Sequence, residues 1–147
     1  MSKIRMSYDE MERYFNDYIC EVLHEKGSSA SLSVIPSFYD TVEHGKKSNG
    51  NVWTVEWDDG PVFLGRYRVT EKADAFWSRG EGKDYIGPVL TDPTWKDLMV
   101  EAELMIRATK DTHHCFLEIA QVDASDTERL AAIDDGLVLD IIFLMGS

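Results

Sequence analysis

The residues DPTWKDLMVEAELMIRATKDTHHCFLEIAQV, positions 92 to 122, decide how this chain is read. They divide into a helix, a tight connection and a strand. Asp92 is a natural N-cap, because its carboxylate can accept from an unpaired N–H of the first turn. Pro93 fits the first helical position, where no N–H is needed. Trp95, Leu98, Met99, Ala102, Met105, Ile106 and Thr109 recur at steps of three and four and form one face. Val100 and Leu104 widen that stripe, which predicts packing on more than one neighbour. Lys96, Asp97, Glu101, Glu103 and Lys110 are expected on the solvated side.

After the polar break at Lys110-Asp111-Thr112, His113 to Val122 reads as a strand. Alternation puts Cys115, Leu117 and Ile119 on one face and Phe116, Ala120 and Val122 on the other. Both faces are mostly apolar, so the strand is expected inside a sheet that is covered on both sides over part of its length. The run from Leu137 to Met145 has the same character and is its expected neighbour. Asp135-Gly136 turns the chain into it, after a polar crossing in which Ser125 to Glu128 can cap a short helix carrying Leu130 and Ile133.

Working outward, Ser7-Tyr8-Asp9-Glu10 has the form of a capping box. Tyr8, Met11, Phe15, Tyr18, Ile19, Val22 and Leu23 then follow at helical spacing, and Gly27 is the expected stop. Leu32 to Ile35 predicts a short strand ending at Pro36, and Ser37 to His44 a helical turn or two with Phe38 and Val42 inward. Gly45 to Asn51 is an exposed loop. Its Gly45-Lys46-Lys47 lacks the glycine spacing of a phosphate loop. Val52 to Val69 predicts a hairpin turning at Asp58-Asp59-Gly60, with Val55 across from Phe63 and Trp53 across from Gly65. Glu56, Arg66 and Arg68 would share the opposite face. Ala75-Phe76-Trp77 is a short helical or irregular piece, followed by an exposed loop over Arg79 to Asp84. The element order predicts an α+β fold: an antiparallel sheet with two long amphipathic helices packed on one face, as one globular domain over residues 1 to 147.

Composition narrows the function classes. The chain has 15 basic and 27 acidic side chains, a net charge of −12, which opposes direct binding to nucleic acid or to an anionic membrane. No apolar core follows the charged N-terminal residues, so no signal peptide is expected. The longest apolar run is far short of the ~20 residues of a spanning helix. Two cysteines without a CxxC pattern read as reduced thiols in a cytoplasmic protein.

Two groups of side chains could carry chemistry. His113, His114, Cys115 and Glu118 are zinc-ligand types. On a strand, however, adjacent residues face opposite ways, and His114 and Glu118 would stand roughly 13 Å apart. His113 with Cys115 is the closer metal pair. Glu118 and Asp140 form the second group, since each interrupts an apolar run, and a buried carboxylate must be paired or shifted in pKa. His114 completes that catalytic candidate set, and Arg66 and Arg68 are the candidate ligand-binding groups. No nucleophile elbow, triad signature or nucleotide fingerprint accompanies them. The sequence therefore favours a non-catalytic protein–protein interaction or regulatory module, without cofactor, whose partner is a protein of basic character. The alternatives are a small-molecule- or metal-binding, hydrolase-like enzyme using Glu118, Asp140 and His114, and an acidic mimic of nucleic acid.

Overall fold

Two reciprocal caps start the two long helices. The computed structural model describes residues 3–25, 32–36, 43–44, 54–125, 127–128 and 136–146. A first strand, β1 (Lys3–Ser7), runs straight into α1 (Tyr8–Glu25). There the Ser7 hydroxyl accepts from the Glu10 N–H at 3.2 Å, and the Glu10 carboxylate accepts from the Ser7 N–H at 3.3 Å. The capping box read from the sequence is formed. Met11, Phe15, Ile19 and Leu23, each one turn beyond the last, are fully buried.

The second helix, α2 (Trp95–Thr109), starts later than Asp92 and Pro93 suggest. Its cap is Thr94, whose hydroxyl accepts from Asp97 N–H while the Asp97 carboxylate accepts from Thr94 N–H at 2.9 Å. That arrangement satisfies two orphan donors at once, where Asp92 could satisfy one. Asp92 is used elsewhere: it sits in the left-handed region at φ 48° and accepts from Gly65 N–H at 2.7 Å.

The remaining strands are β2 (Ile35–Pro36), β3 (Glu43–His44), β4 (Thr54–Asp58), β5 (Arg66–Glu71), β6 (Tyr85–Ile86), β7 (Leu90–Thr91), β8 (Phe116–Val122) and β9 (Val138–Gly146). The fold is α+β, but the single antiparallel sheet is replaced by two sheets. The smaller has the order β1-β4-β3 and is antiparallel. The larger runs β2-β8-β9-β5-β6, with β7 also on β5, and is mixed. Its β2–β8 and β9–β5 pairs are parallel, and its β8–β9 pair is antiparallel.

The expected hairpin over Val52 to Val69 does not form. Val55 stands opposite Met6 and Trp57 opposite Ile4, while β5 pairs with β9 in the other sheet. Two features divert the chain. Gly65 adopts φ 115°, and the segment before it is pinned to the entry of α2 by the Val62 N–H to Pro93 carbonyl bond of 2.7 Å. The alternating Ile4 and Met6 of β1 meanwhile offer β4 a ready partner. Trp53, Gly27, Phe38, Val42, Leu130, Ile133 and the loop from 45 to 51 lie outside the described residues.

The pairing of the last two strands is as expected, with Ala120 opposite Phe143. Strand β8 begins at Phe116 rather than His113, and a bulge at Glu118 breaks its alternation, so Leu117 and Ala120 are both buried. Its cover is incomplete, since Phe116 and Leu144 remain exposed. Helices α1 and α2 pack together. Helix α1 touches β1, β2 and β4, and α2 touches β5 and β6, so the helical layer spans strands of both sheets. No described helix is long and apolar enough to cross a membrane.

The helical face of α2 is wider than its apolar residues indicate. Glu101 and Glu103, expected in solvent, are 3% and 0% exposed. The Glu103 carboxylate accepts from Ser33 N–H at 2.7 Å and Val34 N–H at 2.9 Å through one oxygen. Its other oxygen accepts from Arg107 Nε at 2.8 Å. Glu101 accepts from the Tyr85 hydroxyl at 2.9 Å. Both helix carboxylates thus replace lost water with protein donors. Replacing Glu103 by Leu strands two backbone N–H groups and should cost about 2–5 kcal/mol in urea unfolding at pH 7. Glu103→Gln, which keeps an acceptor, should cost only about 1–2 kcal/mol. Equal stability of all three proteins would show that the carboxylate does not hold this junction.

Candidate functional site

The C-terminal end of α2 is where exposed aromatic and titratable groups meet. The helix stops with Lys110 in the left-handed conformation, its N–H on the Ile106 carbonyl. Asp111 then organises the turn. One of its oxygens accepts the backbone N–H of His113 and of His114, each at 3.1 Å, and the other takes His114 Nδ1 at 2.9 Å. That bond fixes the imidazole and leaves Nε2 as the nitrogen available to a ligand.

The facing wall is the turn over 73 to 84. Asp74 accepts from Phe76 and Trp77 N–H at 2.8 and 3.3 Å, and Asp84 accepts from Ala73 N–H at 2.9 Å. The turn is fastened to the helix by Lys83 N–H on the Ala108 carbonyl at 2.8 Å. At Gly82 a side chain would strike the Thr109 carbonyl and Ser78 Cβ, so a glycine is required for this close approach. The two walls meet through aromatic contact. Trp77 stacks on His113 with ring centroids 4.2 Å apart and planes 7° from parallel. His114 meets the same indole edge-on at 5.0 Å, and Phe76 does so at 4.9 Å. Phe76 is 78% exposed and Trp77 40%, an unusual outlay of apolar surface for one turn.

Trp77 borders two hollows. The larger, about 750 Å³, is lined by Phe76, Trp77 and His113, by Ser78 and Ser33, and by Arg79, Arg107 and Lys110, with Glu81 among them. The smaller, about 390 Å³, lies over Met105 and Phe143 and carries Glu71, Asp111 and His114. Burial acts to raise the Asp111 pKa, but the His114 ring and the two backbone donors outweigh it and hold the carboxylate below its ordinary range. Burial lifts Glu71 above the usual range, the Lys72 backbone bond offsets part of this, and the Asp111 charge adds to the rise. Cys115 is raised by burial and by the carboxylates of Asp111 and Glu103, and its thiol donates to the Thr112 carbonyl at 3.0 Å. A thiol held protonated is a poor nucleophile and a poor zinc ligand.

The sequence candidates are scattered by the fold. His113 and His114 do come together, because they sit in a turn and not on a strand, so their rings lie 4.7 Å apart at 83°. Among the described residues, no group of three or more histidine, cysteine or acidic side chains is placed to hold a metal ion. Glu118 lies at the β8 bulge against Gly146. Asp140 lies beyond the Val122–Ile141 pair at the other end of the same two strands, opposite Arg68 of β5. Glu118 and Asp140 are therefore separated by most of a strand. Arg66 donates to the Gly136 carbonyl at 3.1 Å. The cleft residues Trp77, Ser78, Arg79 and Lys110 had no motif to announce them. Their one sequence signal is the juxtaposition of Phe76-Trp77 with a polar, glycine-containing loop.

No family model matches the chain, and neither the curated proteins nor the solved structures hold a significant match to it.

Two outcomes test this geometry. Glu71 is more acidic in the unfolded chain than in the folded one, so its contribution to stability falls as pH rises from the unfolded pKa through the folded pKa. Glu71→Gln should therefore melt above the parent protein at pH 7, with the gap closing as pH falls below that of an ordinary carboxylate. Equal melting at pH 7 would remove the burial argument. Gly82→Ala should lower stability by about 1–3 kcal/mol through overpacking against the helix end, and denaturant titration would read it.

Proposed function

We propose that this chain is a non-catalytic binding domain whose working surface is the larger hollow beside Trp77, and that its ligand is a small molecule with a flat ring. What carries this reading is the exposed Trp77–His113 stack opening on a cleft of about 750 Å³. That volume falls in the range of small-ligand sites, which combine aromatic walls with a few convergent polar groups. A planar ring laid on an indole edge or face gains contact area together with favourable quadrupole geometry.

The chemistry of the neighbouring groups supports binding over turnover. The Asp111–His114 pair has the base-and-orienter half of a nucleophilic triad. The thiol beside it, Cys115, is occupied as a donor and held protonated. Ser78, the hydroxyl on the other side of Trp77, has no hydrogen-bond partner among the described residues, so no base activates it. Nucleophilic catalysis needs that contact. This reading takes the small-molecule alternative of the sequence in place of the protein–protein module, and moves it from Glu118 and Asp140 to Trp77.

A thermal-unfolding screen with uncharged ring compounds, 1-naphthol among them, tests it. A ligand present at 100 times its Kd should raise stability by about 2.7 kcal/mol. Trp77→Ala should abolish the shift while the free protein still unfolds cooperatively. A shift that persists in Trp77→Ala, or none from any ring compound, would overturn the reading.

A further inference from the structure

We propose that the ligand of this cleft carries an oxyanion, a phosphate or carboxylate, and that Ser78, Arg79 and Lys110 receive it, with Arg107 behind them. The proposal rests on the ring-binding reading above and adds the charge of the ligand.

The first observation is a local reversal of charge. Acidic side chains outnumber basic ones 27 to 15 over the chain. The cleft inverts this: among the described residues Arg79, Arg107 and Lys110 line it with Glu81, and although Arg107 is paired with Glu103, Arg79 and Lys110 still outnumber the one lining carboxylate. Cations gathered in a low-dielectric hollow focus the field there and raise the local concentration of anions, whatever the net charge of the protein.

The second is Ser78. Its side chain lines the cleft, the residue is 4% exposed, and its hydroxyl has no partner among the described residues. A buried hydroxyl that gives up water without receiving a bond lowers stability, so native proteins rarely leave one. A ligand oxygen in the cleft would accept a hydrogen bond from it.

The conformation of the two outer cations points the same way. Arg79 and Lys110 both occupy the left-handed region, at φ 55° and 59°. Glycine or asparagine is the less strained choice at such positions. Lys110 also offsets the negative end of α2, but Arg79 belongs to the turn and has no such duty. Arg107 is set by its Nε bond to Glu103 at 2.8 Å. At the helix end the carbonyls of Met105, Ile106 and Ala108 accept from Thr109 Oγ1, Lys110 N–H and Lys83 N–H, so these three do not face the cleft unbonded.

Three probes of one ring separate this proposal from the reading beneath it: 1-naphthol, 1-naphthoate and 1-naphthyl phosphate, titrated calorimetrically against the full chain. At least one anionic probe should bind roughly tenfold or more tightly than 1-naphthol, as charge-assisted bonds require. Its affinity should fall with added salt. The tighter of the two names the oxyanion. Arg79→Gln, Lys110→Gln and Ser78→Ala should each weaken that probe several-fold more than they weaken 1-naphthol. Ser78→Ala should also hold or raise the melting midpoint of the free protein, because it removes a buried hydroxyl that has no partner among the described residues. Equal affinity for the three probes, or an anionic probe indifferent to all three substitutions, overturns the oxyanion site and leaves the ring site standing. A marked loss of free-protein stability in Ser78→Ala overturns the role of that hydroxyl. Failure of every probe to bind overturns both readings.

Discussion

The buried carboxylate of Glu103 is the contact on which this arrangement depends. It stands midway along α2 and is wholly removed from solvent. An ionised group there is tolerable only with donors on both oxygens, and the Ser33 and Val34 N–H groups and Arg107 Nε supply them. The same bonds do topological work. They hold the stretch before β2 against the helix, so that Ile35 and Pro36 reach the edge of β8 in parallel register. They also fix Arg107 at the back of the cleft. One side chain thereby joins helix, sheet edge and cleft.

The cleft follows from how α2 ends. A left-handed Lys110 and the Asp111 turn lift His113 and His114 out of the strand, and the 73–84 turn closes over them by way of Gly82 and Lys83. Trp77 then has the His113, His114 and Phe76 rings around it and is still 40% exposed. The cations around it are near the negative end of a helix, which is where positive side chains are stabilised. Their concentration in one hollow, beside a serine hydroxyl with no partner among the described residues, exceeds what helix capping alone asks for.

Much of the architecture was legible because it depends on periodicity and local chemistry. The stripes of α1 and α2, the Ser7–Glu10 box, and the neighbouring β8 and β9 all express short-range rules. Other features were illegible for definite reasons. The Asp92-Pro93 signature competes with Thr94-x-x-Asp97, and the reciprocal pair prevails because it satisfies more donors. The hairpin failed because β1, five residues long and merged with a cap, gave no separate signal, yet it supplies the partner β4 takes. Glu101 and Glu103 looked solvated because a sequence cannot show which donors will face a helix. Of the site, His114 alone among the catalytic candidates lies beside Trp77.

By itself the sequence determined the α+β class, the two helices, their buried stripes and the strong negative charge, since each is set by residues within a few positions of one another or by composition. The tertiary structure alone decided the division into two sheets, the parallel pairing of β5 with β9, the separation of Glu118 from Asp140, and the cationic cleft in an acidic chain. Those depend on which distant groups meet. Ser33 finds Glu103 from 70 positions away, and Gly82 meets Thr109 only because two turns close on one helix end. No local pattern encodes such encounters, because the energy that selects them comes from burial and hydrogen bonding across the assembled core.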